Sequence, residues 1–281
     1  MQNEIDAPAR AATPIEHISL LAGVVMVGLT FLILLDLPSG KSEFSFLGSD
    51  ANITWSGNWL VAFLLAALTA ASVDSIVRTH PRVHLGETRY IFILWILPML
   101  IVITTALLLT FIPTRAIGLI CVAATGLILF AVVLGEFFSL DSSERWSNAA
   151  RVGVNLAVHL VALILFAAIY GLKQRSLFSS PAIALVSGLL ALELFRGAEQ
   201  DFRRTWLYAA AIGLTMGELV WALNYWNLGS LLGGGLLLIF FYVLTGLTQQ
   251  YLWNRLTRFV MIEFSLIVFG ALYFLFWFKP G

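Results

Sequence analysis

The chain has 281 residues, of which 60% are hydrophobic and 11% charged, with a mean hydropathy of +0.92. A soluble domain carries about a quarter charged residues, so an ordinary water-soluble fold is excluded. Sixteen Lys and Arg balance sixteen Asp and Glu, which leaves no basic surface to hold a nucleic acid.

Apolar runs long enough to cross a bilayer recur nine times, at about 18–37, 58–77, 90–111, 116–138, 149–171, 179–195, 205–226, 228–248 and 256–278. In lipid every backbone amide must be bonded within its own segment, so each run is expected as a helix. The fold class is therefore all-α, a polytopic transmembrane bundle of nine spans forming a single domain over residues 1–281. Glu4, Asp6 and Glu16 precede the first run where a signal peptide would be basic, so that span is expected to be retained. The longest connection, 38–57, reads either as a solvated loop or as a small hairpin, with Phe44–Asp50 and Ile53–Trp55 supplying short strands. Ile112-Pro113-Thr114-Arg115 is a tight turn between spans 3 and 4.

Loop charge orients the bundle. Arg10, Arg78, Arg82, Arg89, Arg145, Arg151, Arg196, Arg203, Arg204, Arg255 and Arg258 fall on one side. Lys41, Arg115, Lys173, Arg175 and Lys279 fall on the other. The richer side is expected in the cytoplasm, with the N-terminus in and the C-terminus out. A re-entrant span 6 would reverse every later loop and erase that bias. Trp55, Trp59, Tyr225, Trp226 and Trp277 then lie at outer ends, and Tyr90, Trp146, Trp206 and Trp253 at inner ends. Gly213-x-x-x-Gly217 and Gly229-x-x-x-Gly233 predict close packing of spans 7 and 8.

Ionisable residues inside a bilayer are costly, and each needs a reason. Asp74, Glu136, Glu193 and Glu263 sit about one turn inside the cytoplasmic boundary. They read as boundary ion pairs with neighbouring arginines, or as the acidic wall of a polar vestibule. Arg151, Asn155 and His159 share one stripe of span 5, with His159 near the midplane. Glu218 stands at comparable depth on span 7, above which Asn224 adds a polar group. A Glu218–His159 pair, with Asn155 and Arg151 leading inward, could relay a proton or grip a polar ligand. The alternative is a hydrogen-bonded strut that fixes helix register.

Membrane enzymes have compact signatures, and none is present. There is no H-E-x-x-H, no G-x-x-x-x-G-K-[ST], and Ser187-Gly188 lacks the preceding glycine of a rhomboid-type G-x-S-G. Cys121 stands alone, so neither a disulfide nor a thiolate metal site can form within the chain. No catalytic residue, metal or cofactor is expected.

The string Met216-Gly217-Glu218-Leu219-Val220-Trp221-Ala222-Leu223-Asn224-Tyr225-Trp226, with Phe241–Leu247 and Arg255-Leu256-Thr257-Arg258, resembles a family of bacterial multi-pass membrane proteins of unknown function. That resemblance, mainly in the last third of the chain, implies a bacterial plasma membrane and transfers no activity. Three function classes follow. The first is a small-solute or lipid carrier with a mid-membrane polar site. The second is a non-catalytic subunit or scaffold bound to a membrane-protein partner, and the third is an intramembrane enzyme. The lipid bilayer is a partner in all three, and nucleic acid in none.

Overall fold

A computed structural model of the chain describes residues 14–35, 37–46, 49–80, 83, 91–140, 144–172, 176–196, 202–226 and 228–277. Among them are nine helices of 14 residues or more and one β-hairpin. The helices are α1 (Ile15–Leu34), α2 (Gly57–Arg78), α3 (Ile96–Leu109), α4 (Arg115–Ser139) and α5 (Glu144–Gly171), then α6 (Ser176–Phe195), α7 (Phe202–Leu223), α8 (Ser230–Leu252) and α9 (Arg258–Trp277). Strands β1 (Ser39–Phe46) and β2 (Ser49–Ser56) pair antiparallel between α1 and α2, with Ser39 opposite Ser56.

A 3-10 segment, Ile91–Trp95, leads into α3. Pro98 offers no N–H and its ring crowds the carbonyl four residues back, so an α-helix starts cleanly only just before it. Taken together as Ile91–Leu109, this element and seven other helices are long and apolar enough to cross a membrane. The ninth, α9, is a further apolar helix of 20 residues. Span 6 is one continuous helix despite Pro181, and no re-entrant break interrupts it. At the end of α8, Asn254 takes a left-handed φ of 53° and Arg255 N–H donates to the Gln250 carbonyl at 2.9 Å. Asn tolerates that conformation, so the chain turns sharply into α9.

The core is divided. α1, α2 and α4 enclose one apolar cluster, centred on Val25, Leu29, Val73, Leu129 and Val133. α5, α6, α7 and α8 enclose a second, centred on Phe166, Leu190, Met216 and Phe241. α3 lies between them, giving Val102 and Ala106 to the first and Leu97 and Leu100 to the second. The molecule is thus two four-helix halves sharing a seam, with α9 packed along α8.

Small residues set the tightest approaches, but not between the helices expected. A Cβ on Gly213 of α7 would stand 2.6 Å from the Ala184 carbonyl oxygen of α6 and 3.4 Å from Gly188 Cα. On α5 and α8, a Cβ at Gly234 would lie 2.5 Å from Ala167 Cα, and Gly233 faces the Tyr170 ring. So spans 7 and 8 spend their glycines on spans 6 and 5. The paired glycines mark close approach correctly but cannot name the neighbour, because small-residue spacing is the same whichever helix arrives.

Buried hydroxyls are satisfied locally. Thr69, Thr104, Ser187 and Thr245 each donate to the carbonyl four residues back, at 2.6–2.7 Å. Thr105 and Thr125 share a 2.9 Å hydrogen bond between α3 and α4.

Candidate functional site

The expected mid-span pair is not assembled. α5 packs against α3, α4, α6 and α8, whereas α7 packs against α6 and α8. His159 is half-buried on the α8 side of α5, its ring 6.0 Å from Phe241 and 5.7 Å from Tyr242 between centroids. Its Nδ1 bonds the Asn155 carbonyl at 2.8 Å, and its Nε2 is enclosed without a hydrogen-bond partner among the described residues. Arg151 and Asn155 point away from the bundle. Glu218 is also exposed, and among the described residues it makes no ion pair.

Helix geometry explains the outcome. Gly213, Met216, Gly217 and Val220 are the buried face of α7, which leaves Glu218 on the outside. Depth counted along the sequence does not bring the two residues together, because it says nothing about the rotation or the neighbours of either helix. Asn224 does turn inward, and its Nδ2 donates to Ser179 Oγ of α6 at 2.9 Å. This bond lies close to the Ser180 Oγ to Gly217 carbonyl bond of 2.8 Å, so polar contacts reinforce the glycine seam of α6 and α7.

The four acids divide into three arrangements. Asp74 pairs with Arg78 along exposed turns of α2, with Nε to Oδ2 at 2.6 Å. Glu263 lies exposed on α9 without an ion pair among the described residues. Glu136 and Glu193 meet at the seam between the two halves, and Arg196 joins them. Arg196 Nη2 is 2.8 Å from Glu136 Oε2, and its Nε is 3.3 Å from Glu193 Oε1. The carboxylates are 0% and 1% exposed and the guanidinium 18%.

Arg196 Nη2 also donates to Ser139 Oγ at 3.0 Å, while Ser139 donates to the Glu136 carbonyl at 2.7 Å. Nearby, Gln249 Nε2 of α8 donates to the Leu194 carbonyl at 2.9 Å. Two carboxylates thus share one guanidinium in a site almost closed to solvent. Removing either sign of charge would leave the other uncompensated.

The Glu193–Arg196 contact follows from i,i+3 spacing, but the bond from Arg196 to Glu136 does not. One signal was present in the sequence. Glu136 has no basic residue three or four positions away, so a carboxylate this deep in an apolar helix needs a tertiary partner.

Among the described residues, no group of three or more His, Cys, Asp or Glu is placed to hold a metal. A surface groove of about 380 Å³ runs between α1 and α2, lined by His17, Leu21, Val24, Leu68, Ser72 and Ser75 among others. Arg10, Arg82, Arg89, Lys173, Arg175, Lys279 and Tyr90 lie outside the described residues, as do the side chains of Lys41, Trp55, Arg145 and Trp146.

No curated protein and no solved structure matches the chain. A family model described as "Protein of unknown function (DUF5656)" matches residues 38–278, and the chain belongs to that family.

Proposed function

We propose that this member of the DUF5656 family is a nine-span protein of a bacterial plasma membrane, with its N-terminus in the cytoplasm and its C-terminus outside. In this reading it serves as a non-catalytic membrane subunit, or scaffold, of a larger complex. Eight helices of sufficient length and a ninth of 20 residues support the spans. The loop arginines support the orientation.

One observation carries the subunit reading: Glu218 is exposed on the outer face of α7, well inside a helix long enough to span. A carboxylate facing lipid within a span is costly, up to about 2.5–3.5 kcal/mol on an insertion scale where it lies at the helix centre. A membrane protein avoids that cost by covering the group with another chain. Native mass spectrometry from mild detergent tests the reading. A stoichiometric protein partner is the expected result, and an isolated chain carrying only bulk lipid overturns it. Cysteines introduced at loop positions of a Cys121→Ser protein, labelled from one side in spheroplasts, test the nine spans.

A carrier of a small solute or lipid is the second reading, and the Glu136–Arg196–Glu193 cluster favours it. That cluster lies where two halves of the molecule meet, and a carrier's halves must part and rejoin. A defined molecule retained by the wild type and lost in Glu136→Gln, with the fold intact, would put this reading first.

A further inference from the structure

We propose that the outer face of α7 docks a partner's transmembrane helix that presents a lysine or arginine at the depth of Glu218. This deepens the subunit reading above and rests on it. The first observation is the pattern of the exposed stripe itself. Ala211, Thr215, Glu218 and Ala222 recur at intervals of four, three and four, so they lie along one line of the helix, and all four are exposed.

The same exposed face carries Leu207, Leu214, Trp221 and Tyr225, which are 66%, 68%, 55% and 79% exposed. Ala211, Thr215 and Ala222 leave hollows between these larger side chains, into which the side chains of a second helix can settle. Thr215 already returns its hydroxyl to the Ala211 carbonyl at 2.9 Å, so this line offers Glu218 as its one unsatisfied polar group.

The second observation is charge. Glu218 lies fourteen residues beyond Arg204, roughly 21 Å along the helix, and five before Leu223 at its end, roughly 7.5 Å. A glutamate side chain is shorter than a snorkelling lysine or arginine and leans back toward the helix N-terminus, away from the nearer end. Among the described residues no cation of this chain pairs with it.

A second copy does not meet the need. A two-fold contact through this stripe sets Glu218 against Glu218 and doubles the uncompensated charge. A helix from another protein with a basic residue at matching depth neutralises it and can seat neighbouring side chains in the hollows at Ala211, Thr215 and Ala222.

Two measurements test the proposal on the full-length protein. In the first, the protein is reconstituted in phosphatidylethanolamine–phosphatidylglycerol vesicles with synthetic leucine-rich transmembrane peptides, one carrying a single central lysine and one with leucine at that position. Energy transfer should report about tenfold tighter association with the lysine peptide. Glu218→Gln should abolish the preference while leaving the helix content unchanged. Equal association with both peptides, or a preference that survives Glu218→Gln, overturns the proposal.

In the second, Thr215→Cys in a Cys121→Ser background carries a photo-cross-linker in native membranes. The expected product is one discrete adduct, lost with Glu218→Gln, whose cross-linked span contains a lysine or arginine. An adduct whose span has no basic residue overturns the proposal but leaves the subunit reading standing. An adduct to a second copy of the chain overturns it in favour of self-association. Lipid adducts alone overturn both the proposal and the subunit reading.

Discussion

The Tyr170 hydroxyl, at the C-terminal end of α5, shares its one proton between the Trp226 carbonyl oxygen, beyond the end of α7, at 2.8 Å and the Leu223 carbonyl oxygen at 3.1 Å. The last carbonyls of a helix have no partner within it, so this phenol closes the end of α7 from a neighbouring element. Gly233 of α8 leaves room for the ring that does so. Tyr170→Phe keeps the ring and removes the bonds. We expect it to destabilise the protein by about 1 kcal/mol, read as a lower midpoint of thermal unfolding in detergent. An unchanged midpoint would mean that water satisfies those carbonyls equally well.

Glycines along the bundle should respond to a methyl group in two opposite ways. Gly213→Ala places its Cβ against backbone, which cannot rotate aside, and should cost about 1–3 kcal/mol through separation of α6 from α7. Gly23→Ala and Gly153→Ala meet nothing within 4 Å and should be neutral or mildly stabilising, since alanine is the better helix former. Unfolding midpoints of the three variants, measured side by side, check the contrast. Equal behaviour would show that the α6–α7 approach is looser than described.

The Glu136–Arg196–Glu193 cluster makes a prediction about pairs. Arg196→Met leaves two carboxylates enclosed without a counter-charge and should cost about 3–5 kcal/mol. Replacing both acids as well, with Glu136→Gln and Glu193→Gln, should recover much of that loss. The comparison is a thermodynamic cycle on the purified protein. If the triple variant is no better than Arg196→Met, the cost comes from lost packing of the arginine stem instead.

Glu218→Leu should leave the isolated protein folded, with a midpoint equal to or above that of the wild type, because the side chain has no ion-pair partner among the described residues to lose. On the proposed subunit reading, the same change should lower recovery of a protein partner from cells. Loss of stability in the purified chain would instead place Glu218 inside the structure as a strut.

The helices were legible in the sequence because hydropathy and backbone satisfaction leave a chain of this composition almost no other choice. Their rotations were less so. Counting at 1.5 Å per residue sets Glu218 and His159 at comparable depth, but His159 turns toward Tyr242 of α8 while Glu218 faces outward. Glycine pairs told the same partial story: Gly213 and Gly217 mark a close approach, while Ala184 and Gly188 on α6 supply the surface they approach. Arg196 shows what local spacing misses. Its contact with Glu193 lies within three residues, whereas its shorter one, to Glu136, spans two helices and the seam between halves. The acid alone, stranded in an apolar run, was the visible half of that pair.

The position of those two residues in the chain bears on how the protein is made. In the nine-span reading proposed above, Glu136 leaves the ribosome well before Arg196, so α4 is in place while its counter-charge has not yet been synthesised. That helix is apolar enough to enter a bilayer alone, and Glu136 stands only three residues from its end. The ion pair is completed when Arg196 follows α6 into position, so the two halves of the molecule become fastened to one another late in synthesis.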